Sequence, residues 1–152
     1  MNKNSQLPPV LLVRAIILRL RGRVNFPKDL NGTSIQEKEE FIIFRKVVVK
    51  PGKNQPPKPK ALFKVFFRFA RFSPNVNRLL SLIPIPFIIA QQGFRSKTWM
   101  TGVESGTFYG LYEWDSLADA KRYWDSFPLR MMKRRAVTET LKYEIVEIEG
   151  KE

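Results

Sequence analysis

An α+β domain, built as one antiparallel sheet with helices on one of its faces, is what this sequence predicts. Three observations carry that expectation. The stretch Gly93–Trp114 holds two runs rich in Phe, Tyr, Trp and Thr around a short turn region with Gly102 and Gly106, the mark of paired antiparallel strands. Further strand-like runs stand before it, at Ala61–Phe72, and after it, at Leu141–Ile148. Between these runs lie two helix starts, Ser73-Pro74 and Ser116-Leu-Ala-Asp119.

Taken in order, the chain divides at a proline-rich boundary. Met1–Pro9 is polar, ends in Pro8-Pro9 and reads as a loose leader. Val10–Leu18 is an apolar run broken by Arg14, too short for the ~20 residues of a membrane-spanning helix and expected to pack on the core as a short helix or strand. Arg19-Leu-Arg-Gly-Arg23 stands where a secretory signal needs small residues, so neither export nor a span is expected. Arg19, Arg21 and Arg23 alternate with Leu20, Gly22 and Val24, a strand period with one charged face. Pro27–Gln36 is a loop with the turn dipeptide Asn31-Gly32, and Phe41–Val49 is a strand able to pair with 19–26. Pro51–Lys60 is a stiff, basic linker that separates an N-terminal extension, 1–60, from a domain, 61–152.

Within the domain, Phe63, Val65, Phe67 and Phe69 share one side of the first strand, with Leu62, Phe66 and Phe72 on the other. Ser73 and Pro74 open a helix carrying Val76, Leu79, Leu80 and Ile83, interrupted at Pro84 and Pro86 and ended by Gly93. The hairpin supplies strands two and three. Ser116 opens the second helix, with Asp119 in the Glu/Gln place of a capping box. Leu117, Ala120, Trp124 and Phe127 line its apolar side, and Pro128 kinks or restarts it. The resulting order, β-α-β-β-α-β, is that of a ferredoxin-like sheet with two helices on one face. Strand three sets Phe108, Tyr112 and Trp114 against Tyr109 and Leu111, so both faces of the sheet are apolar. Two helices cover one of them. The other calls for a second subunit or for the N-terminal strands folded across it.

Composition narrows the chemistry. The chain has no histidine and no cysteine, which excludes Ser-His-Asp and Cys-His catalysis, imidazole-held zinc or haem, thiolate metal sites and disulfides. There is no tight acidic cluster for Mg²⁺ either, so no metal and no cofactor is expected. Without a redox constraint, a cytoplasmic location is the default. Of the formal charge of +13, residues 1–60 carry +9, from 13 Lys/Arg against 4 acids. That excess favours phosphate-rich partners.

Residues 61–148 resemble the dimeric α/β-barrel superfamily, the group of the antibiotic-biosynthesis-type and YdhR-like monooxygenases. The stretches that carry the resemblance are Pro-Phe-Ile-Ile-Ala-Gln-Gln-Gly-Phe-Arg-Ser-Lys-Thr-Trp (86–99) and Gly-Thr-Phe-Tyr-Gly-Leu-Tyr-Glu-Trp-Asp-Ser-Leu-Ala-Asp-Ala-Lys-Arg-Tyr (106–123). The whole chain is similar to bacterial and archaeal proteins with the same N-terminal extension. The resemblance implies a homodimer packed sheet against sheet, with a small-molecule pocket between sheet and helices. Its members include cofactor-free oxygenases, haem degraders and polyketide cyclases. The histidine on which haem degraders and many cyclases depend is missing here.

On this reading the protein binds, and by a cofactor-independent monooxygenase-like reaction oxidises, a small hydrophobic or aromatic anionic molecule. The expected liners are Asn77, Arg95, Lys97, Trp99, Tyr109, Tyr112 and Trp114. Arg95 or Lys97 would hold an acidic enol or phenolate, and Tyr112 or Asn77 would orient it. Two rivals stand beside it. An RNA-recognition motif has the same strand order, but Ser105-Gly-Thr-Phe-Tyr-Gly-Leu-Tyr112 lacks its leading basic residue and has Thr107 where an aromatic should stack. A peripheral role on an anionic membrane would use the apolar run with Arg14, Arg19, Arg21 and Arg23.

Overall fold

The computed structural model describes residues 3–148. A 3-10 turn at Lys3–Gln6 leads into helix α1 (Pro8–Leu20), followed by strands β1 (Val24–Asn25), β2 (Ser34–Gln36) and β3 (Glu40–Val49). After the linker come β4 (Ala61–Phe67), α2 (Pro74–Leu80), α3 (Ile85–Ile89), β5 (Phe94–Gly102) and β6 (Phe108–Trp114). The chain continues through α4 (Leu117–Tyr123), α5 (Phe127–Arg135) and β7 (Lys142–Glu147).

All seven strands form one antiparallel sheet in the order β1-β3-β5-β6-β4-β7, with β2 also paired to β3. The segment β5-β6-β4-β7 is the ferredoxin-like arrangement, and β3 lengthens it by pairing along β5. Each predicted helix is two short ones. Prolines 84 and 86 separate α2 from α3, while Ser126 caps a fresh start for α5 by accepting from the Leu129 amide. Ser73 and Ser116 cap α2 and α4 in the same way, accepting from Val76 and Asp119.

The N-terminal segment departs from its strand-like pattern. Pro8 and Pro9 are no end to a loose leader; they take the first two positions of α1, where proline forfeits no helical hydrogen bond. Arg19 closes that helix, Arg21 caps it and Gly22 turns the chain at φ +68°. Only Val24 and Asn25 are left to pair with β3. Helical spacing won over alternation because Leu11, Ala15 and Leu18 form a stripe that packs into the core beside α3. The first strand of the domain is also shorter than its aromatic pattern, since it ends at Phe67, and Phe72 sits exposed at φ +70°. On α2 the apolar residues Val76 and Leu79 face solvent, as does Ile83 beyond it, while Asn77 takes the buried position.

Two cores lie on the two faces. The larger, on the helix side, contains Phe63, Val65, Phe67, Trp99, Tyr112, Trp114 and Tyr123, together with Val47 and Val49 of the extension. β3 serves both faces because its register slips between Ile43 and Arg45. Before the slip, Phe41 and Ile43 join Met100 and Tyr109 in the smaller core, with Phe66 packed against them. The Phe41 ring lies 5.1 Å from Tyr109 and 5.8 Å from Phe66, although β5 and β6 run between β3 and β4. The sheet therefore coils strongly at this end, and the extension covers the aromatic part of the second face.

Candidate functional site

The site grows out of β5. Its pairing with β6 slips between Phe94 and Ser96, which makes Arg95 the extra residue of a bulge. After the bulge, Lys97 and Trp99 both face the helices, opposite Tyr112 and Gly110 of β6 and Val47 and Arg45 of β3. Gly110 leaves the room for this. A Cβ there would lie 3.0 Å from the Tyr112 ring, 3.2 Å from Val65 and 3.4 Å from the Lys97 Cε. Above these residues, Leu80, Ile83 and Ile88 from the broken first helix and Met131 and Met132 from α5 enclose a cavity of about 740 Å³. It opens at the exposed side chains of Arg71, Phe72, Ile83 and Arg134. Its walls are mostly apolar, and among the described residues no carboxylate lines it.

Lys97 is the chemical centre of the cavity. It is 6% exposed, and its Nζ stands 4.5 Å from the Trp99 ring centroid and 4.6 Å from that of Tyr112. No hydrogen-bond acceptor or carboxylate among the described residues meets it. Burial first, and the Arg45 charge second, hold this amine well below the ordinary value of 10.5. The ring faces favour a cation, but two faces do not replace the water an ammonium loses. Lys97 therefore gives up its proton more readily than an ordinary lysine, in a chain without histidine or cysteine.

The neighbours of Lys97 are fixed in place. Arg45 donates to Ser81 Oγ at 2.6 Å and to the Arg78 carbonyl at 3.1 Å, with its guanidinium 5.3 Å from the Trp99 centroid. Tyr123 of α4 donates to the Tyr112 hydroxyl at 3.1 Å. Burial raises both phenols above 10, so they remain hydrogen-bond donors at neutral pH, and the proton of Tyr112 stays available to a ligand. At the wall, Arg135 is held by Asn77 Oδ1 at 2.7 Å.

Of the residues the sequence pointed to, Lys97, Trp99 and Tyr112 come together in the cavity. The other four stand elsewhere. The bulge sends Arg95 sideways, where it donates to the carbonyls of Pro56 and Pro57 and pairs with Asp115 at 3.1 Å, pinning the linker. Tyr109 lies on the opposite face and donates to Glu37 Oε1 at 3.2 Å. Trp114 packs against Phe94 and Tyr123 in the core, its indole N–H unpaired among the described residues. Asn77 donates to the carbonyls of Arg71 and Phe72, which fixes the loop beside the opening. Arg23 is likewise an internal tie, bonded to the Lys50 carbonyl and to Gln55, whereas Arg14, Arg19 and Arg21 are exposed. Sequence reading missed Tyr123, Arg45 and Arg135. Tyr123 was within reach, since it follows Ala120 by three residues on the buried side of α4.

No family model and no curated protein sequence matches the chain. Solved structures do. The heme-degrading enzyme LmHde of Listeria monocytogenes superposes with a TM-score of 0.54 at 11% identity, over 76% of this chain and 74% of that one. An uncharacterized ferredoxin fold protein related to antibiotic biosynthesis monooxygenases, from Listeria monocytogenes 4b F2365, gives 0.53 at 13% identity, over 76% and 68%. An anthrone oxidase-like protein gives 0.47 at 16%, over 72% of this chain and 52% of that one. At such identities the likeness is one of architecture: the chain has the ferredoxin-like α+β fold found among proteins related to antibiotic biosynthesis monooxygenases.

Proposed function

We propose that the cavity binds a small hydrophobic or aromatic molecule with an acidic proton, and that Lys97 takes that proton. The carrying observation is a buried amine with no acceptor among the described residues, its pKa lowered by burial, lining an apolar space that has no carboxylate of its own. An enol or phenol entering this space transfers its proton to Nζ and stays as the anion beside the new ammonium. The attraction within that pair is large in an apolar space and has to offset the desolvation of both charges, with the Tyr112 hydroxyl and the ring faces assisting. Trp99 and Tyr112 hold an aromatic body by ring contact, and the Tyr112 hydroxyl can donate to the anionic oxygen.

Oxidation of the bound molecule is the second step of this reading. The deprotonated molecule is electron-rich, and dioxygen is the co-reactant. Conversion of a CH₂ group to a carbonyl puts one oxygen atom into the product and releases the other as water. One structural neighbour degrades haem, but a chain without histidine or cysteine offers no imidazole or thiolate to hold one.

A chromophoric phenol, whose anion absorbs at longer wavelength than its neutral form, tests the proton transfer. Wild type should bind it as the anion at a pH below the phenol's own solution pKa, quench tryptophan emission and raise Tm. Lys97→Met should bind it weakly and in the neutral form. Binding in the neutral form by wild type would remove the base from this account.

A further inference from the structure

The outer surface of α1 is built the wrong way round for a helix facing water. Leu11, Ala15 and Leu18 turn inward to the core, which uses up one stripe of the helix. At ~100° per residue, the opposite side then runs through Leu12, Ile16, Leu20, Val13, Ile17 and Val10, an unbroken apolar arc of about 160°. All six are exposed, Ile16 at 58% and Leu20 at 82%. The two edges of the arc are each marked by an arginine, Arg19 on one side and Arg14 on the other, both exposed. Arg21 lies just past the end of the helix. No Asp or Glu occurs anywhere in residues 1–28, against six Lys/Arg.

We infer that α1 docks the protein on an anionic lipid bilayer, lying in the plane of the interface. The width of the arc suits a plane better than a second helix, which needs only a narrow seam. The arginines sit where headgroup phosphates would lie once the arc is submerged, and their long stems can reach upward from it. The 13 residues of α1 are too few to cross a membrane, and no helix among the described residues is long and apolar enough to do so. The occupant is therefore the surface layer of the bilayer. This inference does not depend on the cavity or on Lys97.

Co-sedimentation of the full chain with vesicles tests it. Wild type should pellet with vesicles of phosphatidylglycerol and phosphatidylcholine and much less with phosphatidylcholine alone. The double variant Ile16→Glu/Leu20→Glu, at two exposed positions, should lose at least about tenfold in affinity. Arg14→Gln/Arg19→Gln leaves the apolar arc intact, so it tests the charge without disturbing the helix; roughly fivefold should be lost per arginine. Three results would overturn the inference. The first is wild type remaining in the supernatant with both vesicles. The second is the glutamate variant pelleting like wild type, which would leave charge attraction alone. The third is wild type self-associating through α1 in sedimentation velocity without binding vesicles, which would give the face to a second copy.

Discussion

Replacing Lys97 by methionine should stabilise this protein, which is unusual for a buried position in the middle of a sheet. Methionine is one atom shorter but keeps the unbranched shape that contacts the rings of Trp99 and Tyr112, and its sulfur is well suited to them. What it removes is an amine without an acceptor at the wall of the cavity, whose desolvation costs up to about 1–3 kcal/mol. For a chain of this size that corresponds to a rise in Tm of roughly 2–12 °C. The pH dependence gives the sharper test. Above 10.5 the lysine is neutral in both folded and unfolded chains and carries no protonation penalty. As the pH falls below 10.5, the unfolded chain takes up a proton that the folded chain refuses, because the folded-state value is lowered. Wild type then loses about 1.4 kcal/mol per pH unit until the folded-state value is reached. The variant has no such loss, so its advantage should widen as the pH falls from 10 toward 8. Urea unfolding of both proteins at pH 8, 9 and 10 measures this, and taking the difference cancels every other titrating group. A variant less stable than wild type throughout, with a gap that ignores pH, would mean that Lys97 is charged and satisfied.

Other positions separate the cavity from its surroundings. Arg95→Met should destabilise by about 3–5 kcal/mol, because Asp115, 12% exposed, is left without its cation. Urea unfolding reads that loss, and the phenol titration of the folded variant should match wild type. Tyr109→Phe removes the bond to Glu37 on the far face; about 1 kcal/mol of stability should go, with ligand response unaltered. Gly110→Ala pushes a methyl against Tyr112, Val65 and Lys97, so about 1–3 kcal/mol should be lost together with most of the phenol-induced Tm shift.

The strand order was legible because local signals agreed with one another. Ser73-Pro74, Ser116 and the glycines of the hairpin each mark an element end that the structure shares. Faces were legible where alternation was clean, as in Phe63, Val65 and Phe67 against Leu62 and Phe66. The sequence was silent about register slips, and both slips mattered. One extra residue at Arg95 takes it out of the cavity and another at Phe44 turns Arg45 to the helix face beside Trp99; neither is marked by glycine or proline. For α1 the sequence left helix and strand open, for a different reason. Its inward stripe is only three residues wide, and the apolar residues around it blur the helical period. Lys97 was legible as a residue type, but its lack of an anion was not, since that depends on everything facing it from four other elements.

The pairing of β3 with β5 has a consequence for what the N-terminal sixty residues are. Val47 lies directly beside Lys97 in the sheet, and Arg45, two residues earlier, supplies the charge that adds to its desolvation. The acidity of Lys97 is thus set from outside the segment that contains it. A minimal version cut at the proline linker would keep four strands, both helix pairs and the lysine itself. Its β5 would become an edge strand, without Val47 and Arg45 beside Lys97, and the amine would lie nearer its ordinary value. The surroundings of Lys97 are shared between the domain that carries it and the extension that covers it.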